Sequence, residues 1–277
     1  MRTNFACFFS LSLFFATLQG FPQSAFAQKP SEQKVVSGTV LLNGKAAPDY
    51  KSLLAGLNKT WKLKTDSVNI ADRTLVFNAP GGATVMIAYL AYPAAADEIG
   101  ASARLSWLWK TANEETAKHQ AQVVISVIGP ANRALDLYKI FTQASAGVLE
   151  STNAPGICLT GQYLLLSKGY FVSAARNMVQ NQTIPLYCWV YFGRPGDGNG
   201  FTFGLQEFGL LEMEIVKSAR SEGEVHATLY DAAMSVVKYG TRLQDGQSVT
   251  TEEGAKIRGR LSKGVFVDGQ EVLNLEY

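Results

Sequence analysis

Two apolar runs, residues 84–91 and 122–128, have no polar face, and a chain that holds such runs must bury both sides of them. They belong inside a sheet, and the periodicity around them predicts its other members. A first strand over 35–42 ends at Asn43-Gly44. A helix over 48–61 sets Leu53, Leu54, Leu57 and Trp61 on one side. A strand over 74–77 forms a hairpin with the first apolar run across Pro80-Gly81-Gly82. Helical composition over 95–109 and 113–119 then leads into the second run. The order is strand, helix, strand, strand, helix, strand.

A similar order follows. A helix over 131–146, stopped by Gly147, precedes a short strand at 157–159 and a helix over 169–180. Strands are expected at 186–192 and at 201–215, the latter broken near Phe208-Gly209. The best-marked helix spans 222–239, with Ser221 and Glu224 as a capping box and Gly240 as its stop. Strands near 256–261 and 265–273 complete the chain. The pattern predicts an α+β fold of two consecutive ferredoxin-like βαββαβ halves, 35–130 and 131–277, with antiparallel sheets and helices on one face. A single mixed sheet is the competing arrangement.

The amino terminus reads as an address. Arg2 precedes an apolar stretch from Phe5 to Leu18, Gly20 and Pro22 break it, and Ala25-Phe26-Ala27 offers the small residues a signal peptidase reads. Residues 1–27 are thus expected to be a cleavable signal peptide, and 28–34 a flexible start to a periplasmic or secreted domain. The stretch is too short to span about 30 Å of hydrocarbon, so no transmembrane anchor is expected after cleavage. Cleavage removes one of 25 Lys and Arg and none of 23 Asp and Glu, leaving 24 against 23. With basic residues scattered, nucleic acid is not an expected partner.

The chemistry-bearing residues are few. His119 and His226 are the only histidines, and no HExxH, CxxC or HxH spacing is present, so no metal and no cofactor is expected. His119 stands just before the second apolar run and, beside Glu212, would suit acid/base work. His226 lies between apolar helix neighbours and reads as a packed histidine. Glu212 and Glu214 alternate with Leu211, Met213 and Ile215, which gives either a solvated sheet face or a paired-carboxylate site. Tyr187, Trp189 and Tyr191 recur at period two, as core or as a binding strip. Cys158 and Cys188 invite a disulfide in an oxidising compartment, although both lie in apolar runs where free thiols also pack well. No nucleophile elbow fits, and the glycines at 81–82 and 196–200 lack a phosphate-loop lysine.

Short motifs carry a resemblance. The stretches 117–125 (with Lys118-His119), 184–190 (Ile184-Pro185-Leu186-Tyr187-Cys188-Trp189-Val190), 202–215 (with Phe208-Gly209 and Glu212) and 243–249 (with Asp245-Gly246-Gln247) resemble the bacterial domain-of-unknown-function 4261 family over about 85–262. The resemblance implies a fold and no activity, and its members are mostly read as cytoplasmic, so the export signal departs from them. Three roles follow: a non-catalytic exported protein that binds another protein, a hydrolase-type enzyme around His119 and Glu212, or a structural or assembly component of the envelope.

Overall fold

In the computed structural model, which describes residues 32–251 and 254–277, seven strands form one antiparallel sheet. They are β1 (Gln33–Leu42), β2 (Asp66–Ala71), β3 (Thr74–Ala79), β4 (Ala83–Leu90), β5 (Ala121–Pro130), β6 (Gly156–Leu159) and β7 (Leu164–Ser167), in the order β2-β3-β4-β5-β1-β6-β7. The two apolar runs pair as β4 and β5, with Val85 opposite Val127 and Ile87 opposite Ile125, all four fully buried. The predicted signal peptide lies outside the described residues.

Four helices belong with this sheet's connections: α1 (Tyr50–Lys59), α2 (Ala96–Leu105), α3 (Ala112–Thr116) and α4 (Ala134–Ser151). α5 (Lys168–Asn181) leads out of it. Helices cover both faces, not one. Val36, Val40 and Leu42 of β1 face the main core with α1 and α4, whereas Leu41, Cys158 and Leu165 face a smaller cluster with Ile99 of α2 and Ala112 of α3. β1 and β6 carry apolar residues on both sides, and each side needs cover. α4 also runs through Gly147 instead of stopping there. A Cβ at that position would sit 2.5 Å from Leu57 Cδ2, so this glycine lets α4 approach α1 closely.

The second sheet holds β8 (Tyr191–Gly196), β9 (Asn199–Phe203), β10 (Met213–Ile215), β11 (Ser248–Thr250), β12 (Lys256–Lys263) and β13 (Glu271–Glu276), ordered β11-β12-β13-β10-β9-β8. Only β10 and β13 pair in parallel. A single helix, α6 (Glu222–Tyr239), joins its two halves and packs closely on β9: a Cβ at Gly200 would meet Leu229 Cδ1 at 2.6 Å. α6 matches its sequence signals at both ends. Ser221 Oγ accepts from Glu224 N, the Glu224 carboxylate accepts from Ser221 N, and Gly240 adopts φ 62°. A cap of this kind stabilises by about 1 kcal/mol.

The division at residue 130 does not coincide with the sheets, because β6 and β7 hydrogen-bond onto the free edge of β1 and complete the first sheet at Ser167. The second sheet follows a different order from the predicted one. Its strands come as three, one helix, three, which is not a βαββαβ unit.

Candidate functional site

Alternation in the sequence predicts Glu212 and Glu214 on a solvated face or in a paired site, and they occupy neither. The strand expected at 201–215 breaks, as predicted, into β9, a 3₁₀ turn Leu205–Phe208, Gly209 at φ 71° and β10. The break folds back on Glu212, which is 1% exposed and accepts from Thr202 Oγ1 at 2.8 Å, Gly204 N at 2.7 Å and Gln206 N at 3.2 Å. Glu214, also buried, accepts from Val265 N, Phe266 N and Val267 N at 2.8–2.9 Å. Each carboxylate organises a loop of its own sheet.

Burial pushes the Glu212 carboxyl above its usual range, while the hydrogen bonds from Gly204, Thr202 and Gln206 pull it back only in part. The folded protein therefore keeps this proton to higher pH than the unfolded chain does. The group's contribution to stability is full below the ordinary carboxylate range and is lost as pH rises through the folded value. Glu212→Gln is expected to flatten the fall in melting temperature as pH rises above the ordinary carboxylate range. Parallel curves for the variant and the parent protein would contradict this.

His119 lies elsewhere. Its Nε2 accepts from Ala94 N at 2.9 Å and its Nδ1 faces Thr116 O at 2.6 Å, which fixes a neutral ring with the proton on Nδ1. It ties the end of α3 to the segment before α2, at the first sheet, while Glu212 takes its partners within the second. The cysteines are likewise apart. Both are buried and free: Cys158 faces the smaller cluster beside Ser102, and Cys188 sits in the main core. β6 turns Cys158 to the opposite side of its sheet from that core, and no bridge forms.

The aromatic strip also dissolves. Leu186–Cys188 is a 3₁₀ turn, with Cys188 N bonded to Pro185 O, so Tyr187, Trp189 and Tyr191 do not share a strand face. Trp189 is fully buried and donates Nε1–H to Thr142 Oγ1 at 2.8 Å, and Tyr191 opens β8 beside Phe201. Tyr187 alone joins a surface-reaching cluster. Its ring lies 4.6 Å from Tyr230, and its hydroxyl meets His226 Nε2 at 2.9 Å. Trp107 packs edge-on against both Tyr187 and His226, and Arg194 lies over Trp107 at 5.5 Å. Burial, then the Arg194 charge, holds the His226 imidazole below its usual range, and burial first of all pushes the Tyr187 phenol up to about 12. The pair meets as neutral groups.

Beside the cluster lies an open groove of about 670 Å³ between α4, α5, the 182–188 segment and α6. Tyr170, Tyr187 and Tyr230 line it, with Lys139 and Lys238. Sequence reasoning took the apolar stripe of α6 and passed over the next one: His226, Tyr230, Met234 and Lys238 recur every fourth residue and form a second face. That spacing was the available signal.

Residues 201–276 match the family model described as a domain of unknown function, DUF4261. The match covers β9 to β13 with α6, so the likeness at 202–215 and 243–249 falls inside it and the stretches at 117–125 and 184–190 fall outside. No curated protein and no solved structure matches this chain.

Proposed function

We propose that this chain is an exported, non-catalytic binding protein that recognises another protein of the cell envelope through the tyrosine-lined groove. The observation that carries the reading is the groove itself: a cavity of about 670 Å³ where three tyrosines from three separate segments converge. Tyrosines supply large contact area with little conformational entropy to lose, and they dominate binding energies where they cluster. Lys139 and Lys238 stand among the lining residues, which include no carboxylate, so the surface suits an acidic segment of the partner. The acid/base candidates support the same reading, since Glu212 and His119 both spend their polar atoms on hydrogen bonds within this chain.

Export rests on Arg2, the apolar stretch to Leu18 and the Ala25-Phe26-Ala27 site. Among the described residues no helix is long and apolar enough to cross a membrane. With β2-β3 and α2-α3 taken as insertions and β7 as an added edge, the chain order β1, α1, β4, β5, α4, β6 and the neighbours β6-β1-β5-β4 support reading the first sheet with its helices as a widened ferredoxin-like βαββαβ unit.

Gentle crosslinking in the envelope, followed by mass spectrometry, tests both parts. The recovered chain is expected to begin at Gln28 and to carry one reproducible partner, and Tyr230→Ala with Lys139→Glu should lower its yield at least about tenfold. An intact Met1 overturns export. Equal yield from the folded double variant, or no partner at all, overturns the groove.

A further inference from the structure

A second cavity, of about 420 Å³, lies between the 206–211 segment, the carboxy-terminal end of α6 and β13, apart from the tyrosine groove. Its floor is apolar, and Gln206, Thr241 and Arg242 add polar groups to its lining. Leu210, Met213, Val236 and Leu273 are each more than nine-tenths buried, and Leu211 and Leu243 close the sides. The break in the 201–215 strand creates the space, because the chain between β9 and β10 turns through Leu205–Phe208 and Gly209 before Met213 pairs beside Leu273.

One cation stands at this cavity. Arg242 lines it, and its Nε donates to Gly209 O at 2.7 Å, which anchors the guanidinium to the turn. Among the described residues no carboxylate pairs with Arg242, and its remaining N–H groups have no hydrogen-bond partner. An open cavity with an apolar floor and one anchored cation, paired with no carboxylate among the described residues, is complementary to a ligand with a hydrocarbon tail and a single anionic head. The opposing influence is the end of α6, where the helix dipole places about half a negative charge. Gly240 N and Thr241 N both turn back to Val236 O, and the full charge of Arg242 exceeds the residual dipole.

We infer that this cavity binds a medium-chain carboxylate, its tail among Leu210, Met213, Val236 and Leu273 and its carboxylate on Arg242. The inference does not depend on the groove or on its partner. The intact protein, labelled at its methionine methyls, would be titrated with hexanoate, octanoate, decanoate and decanol while the Met213 resonance is followed. Decanoate is expected to shift that resonance saturably, and affinity should rise about three- to fourfold for each added CH2 buried. Arg242→Gln should weaken decanoate about tenfold or more and leave decanol unchanged. Arg242 is exposed, so the variant is expected to fold. A Met213 resonance unmoved by millimolar decanoate overturns the assignment, as does affinity independent of chain length. Equal loss of decanoate and decanol in Arg242→Gln overturns the role of the cation.

Discussion

Glu214→Ala is expected to destabilise the folded protein by about 4 kcal/mol, which for a chain of this size lowers the melting temperature by roughly 10 °C. The carboxylate is fully buried at the heart of the second sheet and is the acceptor for three consecutive backbone donors, Val265, Phe266 and Val267. Those donors lie in the connection between β12 and β13, where the chain has no ladder of its own. Removing the acceptor leaves groups that each cost about 1–3 kcal/mol when buried without a partner. Water reaching the exposed Val265 end recovers some of that. Glu214→Gln should fall between, since one amide oxygen still accepts while the amide nitrogen presents a donor to donors. Hydrogen exchange at 265–267 should accelerate in the alanine variant before exchange in β4 and β5 does. Glu276→Ala is the matched control: its pair with Arg260 is about half exposed, so the change should stay below about 1 kcal/mol. A Glu214→Ala variant as stable as that control would show that the three amides are served by solvent.

The same residue shows where reading the sequence stops. Leu211 to Ile215 alternate apolar and acidic residues, and alternation assigns faces to a strand without saying what covers each face. Here both faces are covered, and the partners of Glu214 lie 51 to 53 residues away, beyond any local pattern. Where the signal is local the elements follow from it: the capping box and Gly240 bound α6, and the Pro80-Gly81-Gly82 turn joins β3 to β4. β2 is invisible for the converse reason. All six of its residues are exposed, so it has no buried face to impose a period. Local conformation favours Gly147 as a helix stop, whereas the space this glycine leaves is taken by Leu57 of another helix. The groove was partly legible, in the four-residue recurrence from His226 to Lys238. Its other walls come from α4, α5 and the 182–188 segment, and only tertiary packing brings them together.

Trp189 separates core from binding surface within the aromatic triplet. Trp189→Ala is expected to cost about 4 kcal/mol, within the range for emptying a fully buried indole site. The ring packs against Tyr138 of α4 at 5.6 Å and Phe208 of the 3₁₀ turn at 5.9 Å, so it fills the seam where the break in the second sheet meets the first sheet's longest helix. Its Nε1–H to Thr142 Oγ1 bond adds a buried polar contact that Trp189→Phe would lose on its own, at about 1–2 kcal/mol. Tyr187→Ala should behave oppositely. Its ring is partly exposed beside the groove, so the melting temperature should fall less than in Trp189→Ala while partner capture drops at least about tenfold. Chemical denaturation and envelope capture, measured on both variants, separate the two roles. A folded Trp189→Ala protein with near-normal stability and no capture would return this tryptophan to the binding surface, and the seam between α4 and the 205–208 turn would then have to be held by Tyr138 and Phe208 alone.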